Sequence, residues 1–553
     1  MVRVAILNIA TILLLTGVGV GCAQERAEAP AQGRRLTILA TNDFHGAFHE
    51  ERTRDGVAVG GAAALAATID GVRGDVGADR VLLVDGGDLF QGTPLVNATE
   101  GMASVELFNR LGYDAVAIGN HEFDYRGPPN DLRAPLEAAA AAASFPFLSA
   151  NTFHDDGRPF VSKGIRGSVI LERGGIKVGL LGLTTETTRT STHPKNVIGL
   201  TFAPAHEIAE EVAAQLRAAG AEVVIALAHV TGSCAEERHP GIDDPPRCTL
   251  TPSELKKLTM LPPGTLDVIV AGHQNQVMHH RYGSTFVMEQ AFNGRRVGRL
   301  DLVLGPDGVD LVASKIHPPI RVEGAPREPL CGDLGPGADA KPKGSGPLDA
   351  WLAEREAALG LGRCARVGCL ARGAERSRET QSTAGTLVAG AILGSWDADV
   401  AFQNGGGIRT GLAPGPVYAP DLFRMLPFEN TVVRMDLSGA QLREILRMGT
   451  SGDGPAVQVA GLDYGWDDQR RGDRLCWVRV GGEPLEATRR YRVLMNDYMA
   501  AGGLHLPGIA DLPREEGARL RDALGDALRA AGDACLDPRE PAASQVAFRT
   551  SCP

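Results

Sequence analysis

Apolar residues along the chain fall into two kinds of run, and the two kinds predict different elements. Short, nearly continuous runs recur through the first half: Leu36–Ala40, Val81–Val84, Ala115–Ile118, Val223–Ala228 and Val268–Ala271. Each is too short for a helix and is bounded by Gly or polar residues, the pattern of a strand buried on both faces. Helical spacing appears instead at Leu348, Trp351, Leu352 and Leu359, and with Pro347-Leu348-Asp349 as its opening predicts a helix over 347–359. From Ala325 to Pro347, Pro and Gly crowd together with Lys and Asp and no periodicity survives, which reads as a linker. The expected division is 35–324, a linker with bridging helix over 325–360, and a C-terminal part over 361–553.

The longest apolar stretch is Val4–Val20, preceded by Arg3 and followed by Gly21-Cys22 and a polar segment. It is shorter than the roughly 20 residues that span a bilayer and ends in small residues, as an export signal over 1–22 does. Cys22 resembles the lipidation cysteine of a bacterial lipoprotein, although Gly19 stands where a large aliphatic residue is usual. Ordinary signal cleavage and a soluble periplasmic product is the alternative, and 23–34 reads as a tether in either case. The expected location is therefore the periplasm or the outer membrane or cell surface, with Cys22 as the one membrane anchor.

The other cysteines agree with export. Beyond Cys22 stand Cys234, Cys248, Cys331, Cys364, Cys369, Cys476, Cys535 and Cys552, an even set suited to disulfides in an oxidising compartment. Cys234 and Cys248 flank a polar loop with Pro240, Pro245 and Pro246, which favours a local bridge. Cys364 and Cys369 could open a zinc site, but no second ligand pair of finger-like spacing accompanies them.

Composition narrows the field without naming a function. The 553 residues are 43% hydrophobic and 22% charged, which suits globular domains and excludes wholesale disorder. A formal charge of −11 argues against a nucleic-acid-coating protein, because phosphate backbones need basic surfaces. Small phosphate substrates stay open, since metal ions can supply positive charge locally.

The strand-like runs end in loops of one chemistry. They lead in turn to Asn42-Asp43-Phe44-His45-Gly46, Asp85-Gly86-Gly87-Asp88, Gly119-Asn120-His121-Glu122-Phe123-Asp124, His229, and Gly272-His273-Gln274-Asn275. Taken alone, a strand-end Asp is ordinarily a turn or cap residue, and a lone His a satisfied surface or core group. Side chains just past the ends of neighbouring strands, however, converge on one rim of a sheet. Carboxylates and imidazoles gathered there are what a pair of Zn, Mn or similar divalent ions needs.

This series resembles the calcineurin-like metallophosphoesterases. Within them it is most similar to the secreted 5'-nucleotidase family, which has UDP-sugar hydrolase and 2',3'-cyclic-nucleotide phosphodiesterase relatives. The resemblance implies a mixed α/β (α+β) protein: an N-terminal β-sandwich flanked by helices, a bridging helix, and a C-terminal α/β substrate domain that rotates about a hinge near 347–360. It implies that Asp43 and His45 hold one metal, that Asp88 bridges two, and that Asn120, His229 and His273 hold the other. Asn275 stands where members place His or Gln; its amide oxygen can ligate, but from one methylene closer to the backbone than Gln. His121 and Asp124 match the catalytic pair, a His oriented by a carboxylate that can donate as charge builds on the phosphoryl group.

In the second half, Phe402-Gln403-Asn404-Gly405-Gly406-Gly407-Ile408-Arg409 is the strongest signal. Consecutive glycines let backbone approach a ligand closely, and Arg409 offers a forked cation for phosphate. The string resembles the family's substrate signature, which implies ligand contacts from Asn404, Gly406 and Arg409. Arg378 resembles a further phosphate-side arginine. Phe428 and Tyr498 fall where two rings sandwich a base. Leu504 replaces an Asp that in nucleotidases accepts from the ribose hydroxyls.

The implied activity is metal-dependent hydrolysis of phosphate esters, first of all 5'-nucleotidase action on nucleoside monophosphates. Leu504 keeps open UDP-sugars, cyclic nucleotides, a non-nucleotide phosphoester or a thiosulfate ester. A non-catalytic, nucleotide-binding surface lipoprotein is the remaining alternative. A small molecule, not a nucleic-acid polymer, is the expected partner.

Overall fold

The computed structural model describes residues 34–52, 57–234, 248–324, 346–360, 365–377, 380–449, 457–466, 474–506 and 508–539. Each of the five apolar runs is a strand: Arg34–Thr41, Val81–Asp85, Ala115–Ala117, Val223–His229 and Val268–Gly272. Strand Arg34–Thr41 pairs parallel with Val81–Asp85, so that Thr41 lies opposite Asp85, and antiparallel with Arg296–Gly305. Ala115–Ala117 and Phe147–Leu148 extend this nine-stranded sheet. A six-stranded sheet holds Ile176–Thr184, Val223–His229 and Val268–Gly272 in parallel, with Thr184, His229 and Gly272 in one register.

Alternation along these strands explains why they are apolar throughout. Leu36, Ile38, Leu82 and Val84 meet Val178, Leu180, Ile225 and Val270 in the core between the two sheets. Their neighbours Leu39, Val81 and Leu83 turn to the opposite face and pack with Leu65 and Ile69 of helix Ala62–Val76 and Phe108 of helix Met102–Leu111. On the second sheet Val224, Ala226 and Ile269 cover Ala209, Ala213 and Leu216 of helix Ala205–Ala218. Strands covered on both faces have no solvent side to make polar. The expected helix-flanked sandwich is the observed one.

The C-terminal half is a mixed five-stranded sheet ordered Val457–Ala460, Val400–Asn404, Arg490–Asn496, Thr431–Ser438, Arg514–Arg519. One face packs against helix Gly439–Gly449 through Leu442, Ile445 and Leu446. The other packs against Thr383–Ser395 and Leu520–Ala531 through Leu387, Ile392, Leu524 and Leu528.

The bridging helix runs Pro347–Ala358 with Pro in its first turn. Trp351 and Leu352 join the N-terminal core, and the Trp351 indole donates to Glu106 at 3.2 Å. Leu359, expected on the apolar face, lies just past the helix end and is 43% exposed, because the helix stops one residue earlier.

Cys234 and Cys248 form the expected local disulfide, and Cys369 pairs with Cys535. The second bridge overturns the zinc alternative, since Cys369 has no thiolate left to give. Cys22, Cys331, Cys364 and Cys552 lie outside the described residues. No helix among the described residues is long and apolar enough to cross a membrane.

Candidate metal centre and substrate face

The common register of the strands brings their loops to one rim, and backbone strain aims the side chains. Asp43, His45, Asp88, His273 and Asn275 all have positive φ, between 50° and 91°. Non-glycine residues adopt that region at a cost, and such strain gathers at functional sites. Close approach explains the glycines beside them. A Cβ on Gly119 would sit 2.1 Å from Asp88 Oδ1, and Gly87 itself has φ +98°.

Two groups of side chains meet on this rim, and both contain Asp88. Asp43, His45 and Asp88 present ligand atoms within 4.8 Å of one another, and so do Asp88, His229 and His273. Asp88 Oδ2 is 3.0 Å from His229 Nε2 and 4.0 Å from His45 Nε2. His273 Nδ1 lies 3.3 Å from His229 Nε2. All but His273 are buried, with His229 fully so.

The donor set fits a pair of cations. A carbonyl can only accept, so His229 Nδ1 donates to the Gly86 carbonyl (3.0 Å) and His45 Nδ1 to those of Phe90 and Gln91 (3.2 and 3.0 Å). Each bond turns Nε2 toward the common centre, as in metal-ligating histidines. The His229 Nε2 lone pair would then face the Asp88 carboxylate at 3.0 Å, an arrangement only a proton or a metal ion relieves. Without metal, burial opposes that proton, but Asp88 and Asp43 push His229 up to about 10. Asn120 Oδ1 and Asn275 Oδ1 are both buried and have no hydrogen-bond partner among the described residues. An orphaned amide oxygen on such a rim is an acceptor waiting for a cation.

Electrostatics divides the carboxylates and imidazoles. Burial would raise the Asp88 carboxyl, yet the charges of His229 and His121 outweigh it and hold it well below the carboxylate range. Burial and the nearby Arg409 guanidinium depress His45 to about 3. Burial also opposes charge on His121, but Asp124 and Asp88 raise its pKa. The His121 Nδ1–H donates to Asp124 Oδ2 at 2.5 Å, leaving Nε2 3.9 Å from Asp88 Oδ2.

Several supporting residues were not legible in the motifs. Thr192 donates to Asp124 Oδ1 (2.7 Å) and Asn196 to the Asp124 carbonyl (3.0 Å), so the partner of His121 is itself fixed from a distant loop. Glu122 accepts from four backbone N–H groups, those of Asp88, Leu89, Phe90 and Gly119. Its place beside His121 was the available signal; its task, holding the Asp88 loop, was not readable from spacing. Asn42 donates to Asp43 Oδ2 at 2.7 Å.

From the C-terminal half, Arg409 reaches the rim, its Nη2 3.4 Å from His45 Nε2. Phe428 lies with its ring centre 5.8 Å from that of His121. The loop beneath Phe428 is gripped by Arg521, which donates to the carbonyls of Leu426 (2.9 Å) and Phe428 (3.0 Å) and pairs with Glu429. Asn404 Oδ1 accepts from Asn496 at 2.7 Å, and Gly406 follows in the turn Gly405–Gly407. Tyr498 packs over Gly503 and donates its hydroxyl to the Thr190 carbonyl. Arg378 lies outside the described residues.

Comparison with known proteins agrees with both halves. The family description "Calcineurin-like phosphoesterase" matches residues 36–276, and "5'-nucleotidase, C-terminal domain" matches 362–510. The chain is 27% identical over 546 residues to a 5'-nucleotidase of Vibrio cholerae, covering 92% of each. It is 25% identical over 535 residues to protein UshA of Escherichia coli, covering 89% of this chain and 90% of the relative. The crystal structure of a 5'-nucleotidase precursor from Thermus thermophilus superposes with a TM-score of 0.71 at 25% identity, over 92% of this chain and 98% of that one. The chain thus belongs to the family of phosphoester hydrolases that joins a calcineurin-like phosphoesterase domain to a 5'-nucleotidase C-terminal domain.

Proposed function

We propose that this protein is an exported 5'-nucleotidase that releases phosphate from nucleoside monophosphates at a dinuclear metal centre. Asp43, His45 and Asn275 hold one divalent ion, Asn120, His229 and His273 the other, and Asp88 both. The observation that supports the reading is the sharing of Asp88 by two largely buried groups of candidate ligands, with orphaned amide oxygens on the same rim. When bound, such a pair lowers the pKa of a water and neutralises phosphoryl charge during in-line attack.

The chain's own groups account for the rest of the chemistry. His121, with Nδ1–H fixed on Asp124, presents Nε2 to the reacting phosphoryl group and donates as charge develops there. Arg409 brings a forked cation from the opposite half to the phosphoryl oxygens, beside His45. Phe428 and Tyr498 flank the base, Asn404 and Gly406 line its approach, and Arg378 adds charge on the phosphate side. The domains extend over 35–324 and 361–553 around the bridging helix. Export by the 1–22 segment is supported by the disulfides, which need an oxidising compartment, and Cys22 is the position at which a lipid would be attached.

A second reading concerns the substrate. Leu504 is half-buried against the C-terminal core, has φ 61°, and offers no acceptor to a ribose hydroxyl. That favours a phosphoester recognised without its ribose. Phosphate release by Mn- or Zn-loaded protein from AMP, UDP-glucose, a cyclic nucleotide and a sugar phosphate tests both. AMP is expected to be hydrolysed best, and chelator to abolish the activity. Preference for the sugar phosphate would replace the nucleotidase reading by the second, and turnover that survives chelation would overturn the metal centre.

A further inference from the structure

One buried acid on the ligand rim has no part in the chemistry above. Glu289 is the penultimate residue of strand Thr285–Gln290 and is 1% exposed. The next residue, Gln290, donates its N–H to Asn42 Oδ1 at 2.7 Å, and Asn42 in turn holds Asp43. Glu289 Oε1 accepts from the backbone N–H of Gln276 at 3.1 Å, and the backbone of Asn275 also faces the Glu289 carboxyl. It therefore grips the turn that carries His273 and Asn275, both at positive φ.

Its other oxygen is the anomaly. Oε2 is buried and has no hydrogen-bond partner among the described residues. The other buried acids of the rim differ: Glu122 uses both oxygens on four N–H groups, and Asp85 uses one on the Gly87 N–H and one on the Thr41 hydroxyl. Burial and the nearby Asp43 push the Glu289 carboxyl well above the ordinary carboxylate range. With one oxygen idle and no ion pair among the described residues, its charged form is costly unless a cation stands nearby. The turn it grips ends in Asn275, whose amide oxygen is equally idle and carries no charge of its own.

We propose that Glu289 is a positioning residue of the metal centre, its carboxylate fixing the 273–276 turn and supplying the negative charge that the uncharged Asn275 does not bring to its ion. This rests on the two-metal reading. In that arrangement Glu289 stands behind the turn and acts through Asn275, as outer carboxylates act through the ligands they hold. Its negative charge favours the cation, and the cation in turn removes the penalty of burying it.

The test is metal content of the full chain after equilibrium dialysis of metal-free protein against buffered Mn²⁺ or Zn²⁺, with melting temperatures of the metal-free forms. Wild type is expected to bind two ions per chain; fewer would defeat the two-metal reading itself, before Glu289 comes into question. Glu289→Gln keeps shape and an acceptor but removes the charge. It should weaken one of the two ions about 10- to 100-fold, leave the other unchanged, and melt at or above wild type without metal. Glu289→Asp keeps the charge and should recover part of that affinity. Wild-type affinity at both sites in Glu289→Gln would overturn the proposal, and so would equal losses in the Gln and Asp variants. A Gln variant that melts lower, or fails to fold, without metal would make Glu289 a residue of the fold and also overturn it.

Discussion

The two halves of the molecule build their share of the site in opposite ways. On the N-terminal rim each reacting group leaves a strand end directly, and the strands are locked into two sheets that share a fully buried core. On the C-terminal side Arg409 and Phe428 stand on loops and Tyr498 in the one-turn helix Asp497–Ala500, and side-chain networks order them, as Arg521 does under the Phe428 loop. Among the described residues, polar contacts between the halves include Asn97 to the Pro427 carbonyl (2.5 Å), Tyr498 to Thr190, His193 to Asp497 (3.7 Å), and Arg409 to His45. The difference teaches a division of labour. On the proposed function, groups that would need ångström geometry sit on rigid elements, and groups that would select among substrates sit on loops, where substitutions are tolerated.

The sharpest way to break this division is at the shared ligand. Asp88→Ala removes the one carboxylate common to both ligand groups, and turnover should fall by at least about 10³-fold. The fold should survive, because the two sheets are held by their own buried core, and the circular dichroism spectrum should be unchanged. Metal analysis should show both ions weakened. Activity near wild type would mean that the rim is not where the chemistry happens.

Arg409→Ala probes the opposite half and should do less. A charge-assisted hydrogen bond to a phosphoryl oxygen is worth about 1.5–3 kcal/mol, or roughly 10- to 150-fold in kcat/KM. The loss should fall mainly on KM, with metal content untouched. If the variant loses metal, then Arg409 belongs to the rim, and the contrast between the halves fails.

The same contrast explains what could be read in the sequence. The rim was legible because strand and loop lie close in the chain: five apolar runs, each soon followed by its candidate ligands, became five strands ending at one rim. What lay beyond reach was every partner brought in from elsewhere. Thr192 and Asn196 reach Asp124 across some 70 residues, and Glu289 meets Asn275 only because two strands pair. Their residue types are ordinary, and no local spacing marks them. The same holds for Cys369, which lies five residues after Cys364 yet pairs with Cys535, 166 residues away. In the C-terminal half the glycine string was the strongest signal and Phe428 and Tyr498 stood out through the family resemblance; the hold of Arg521 on the Phe428 loop left no local signature.

The smallest effect is expected where the halves meet. Asp497 accepts from Asn430 at 2.6 Å and from the Tyr498 N–H at 3.0 Å, and faces His193 of the other half at 3.7 Å. Burial would raise its carboxyl, but the hydrogen bonds from His193 and Asn430 outweigh it and bring the pKa below 3.8. A carboxyl lowered on folding stabilises the native state above its unfolded pKa, and that contribution is lost as pH falls through the lowered value. Asp497→Asn should therefore cost about 1–2 kcal/mol at pH 7, read as a lower melting temperature. The gap to wild type should close as the pH is taken below 3.8. His193→Ala should reproduce only part of it, since Asn430 and the backbone remain. A gap that is the same at pH 3 and pH 7 would show that Asp497 acts by shape and not by charge, and that its pairing with His193 adds nothing to the contact between the halves.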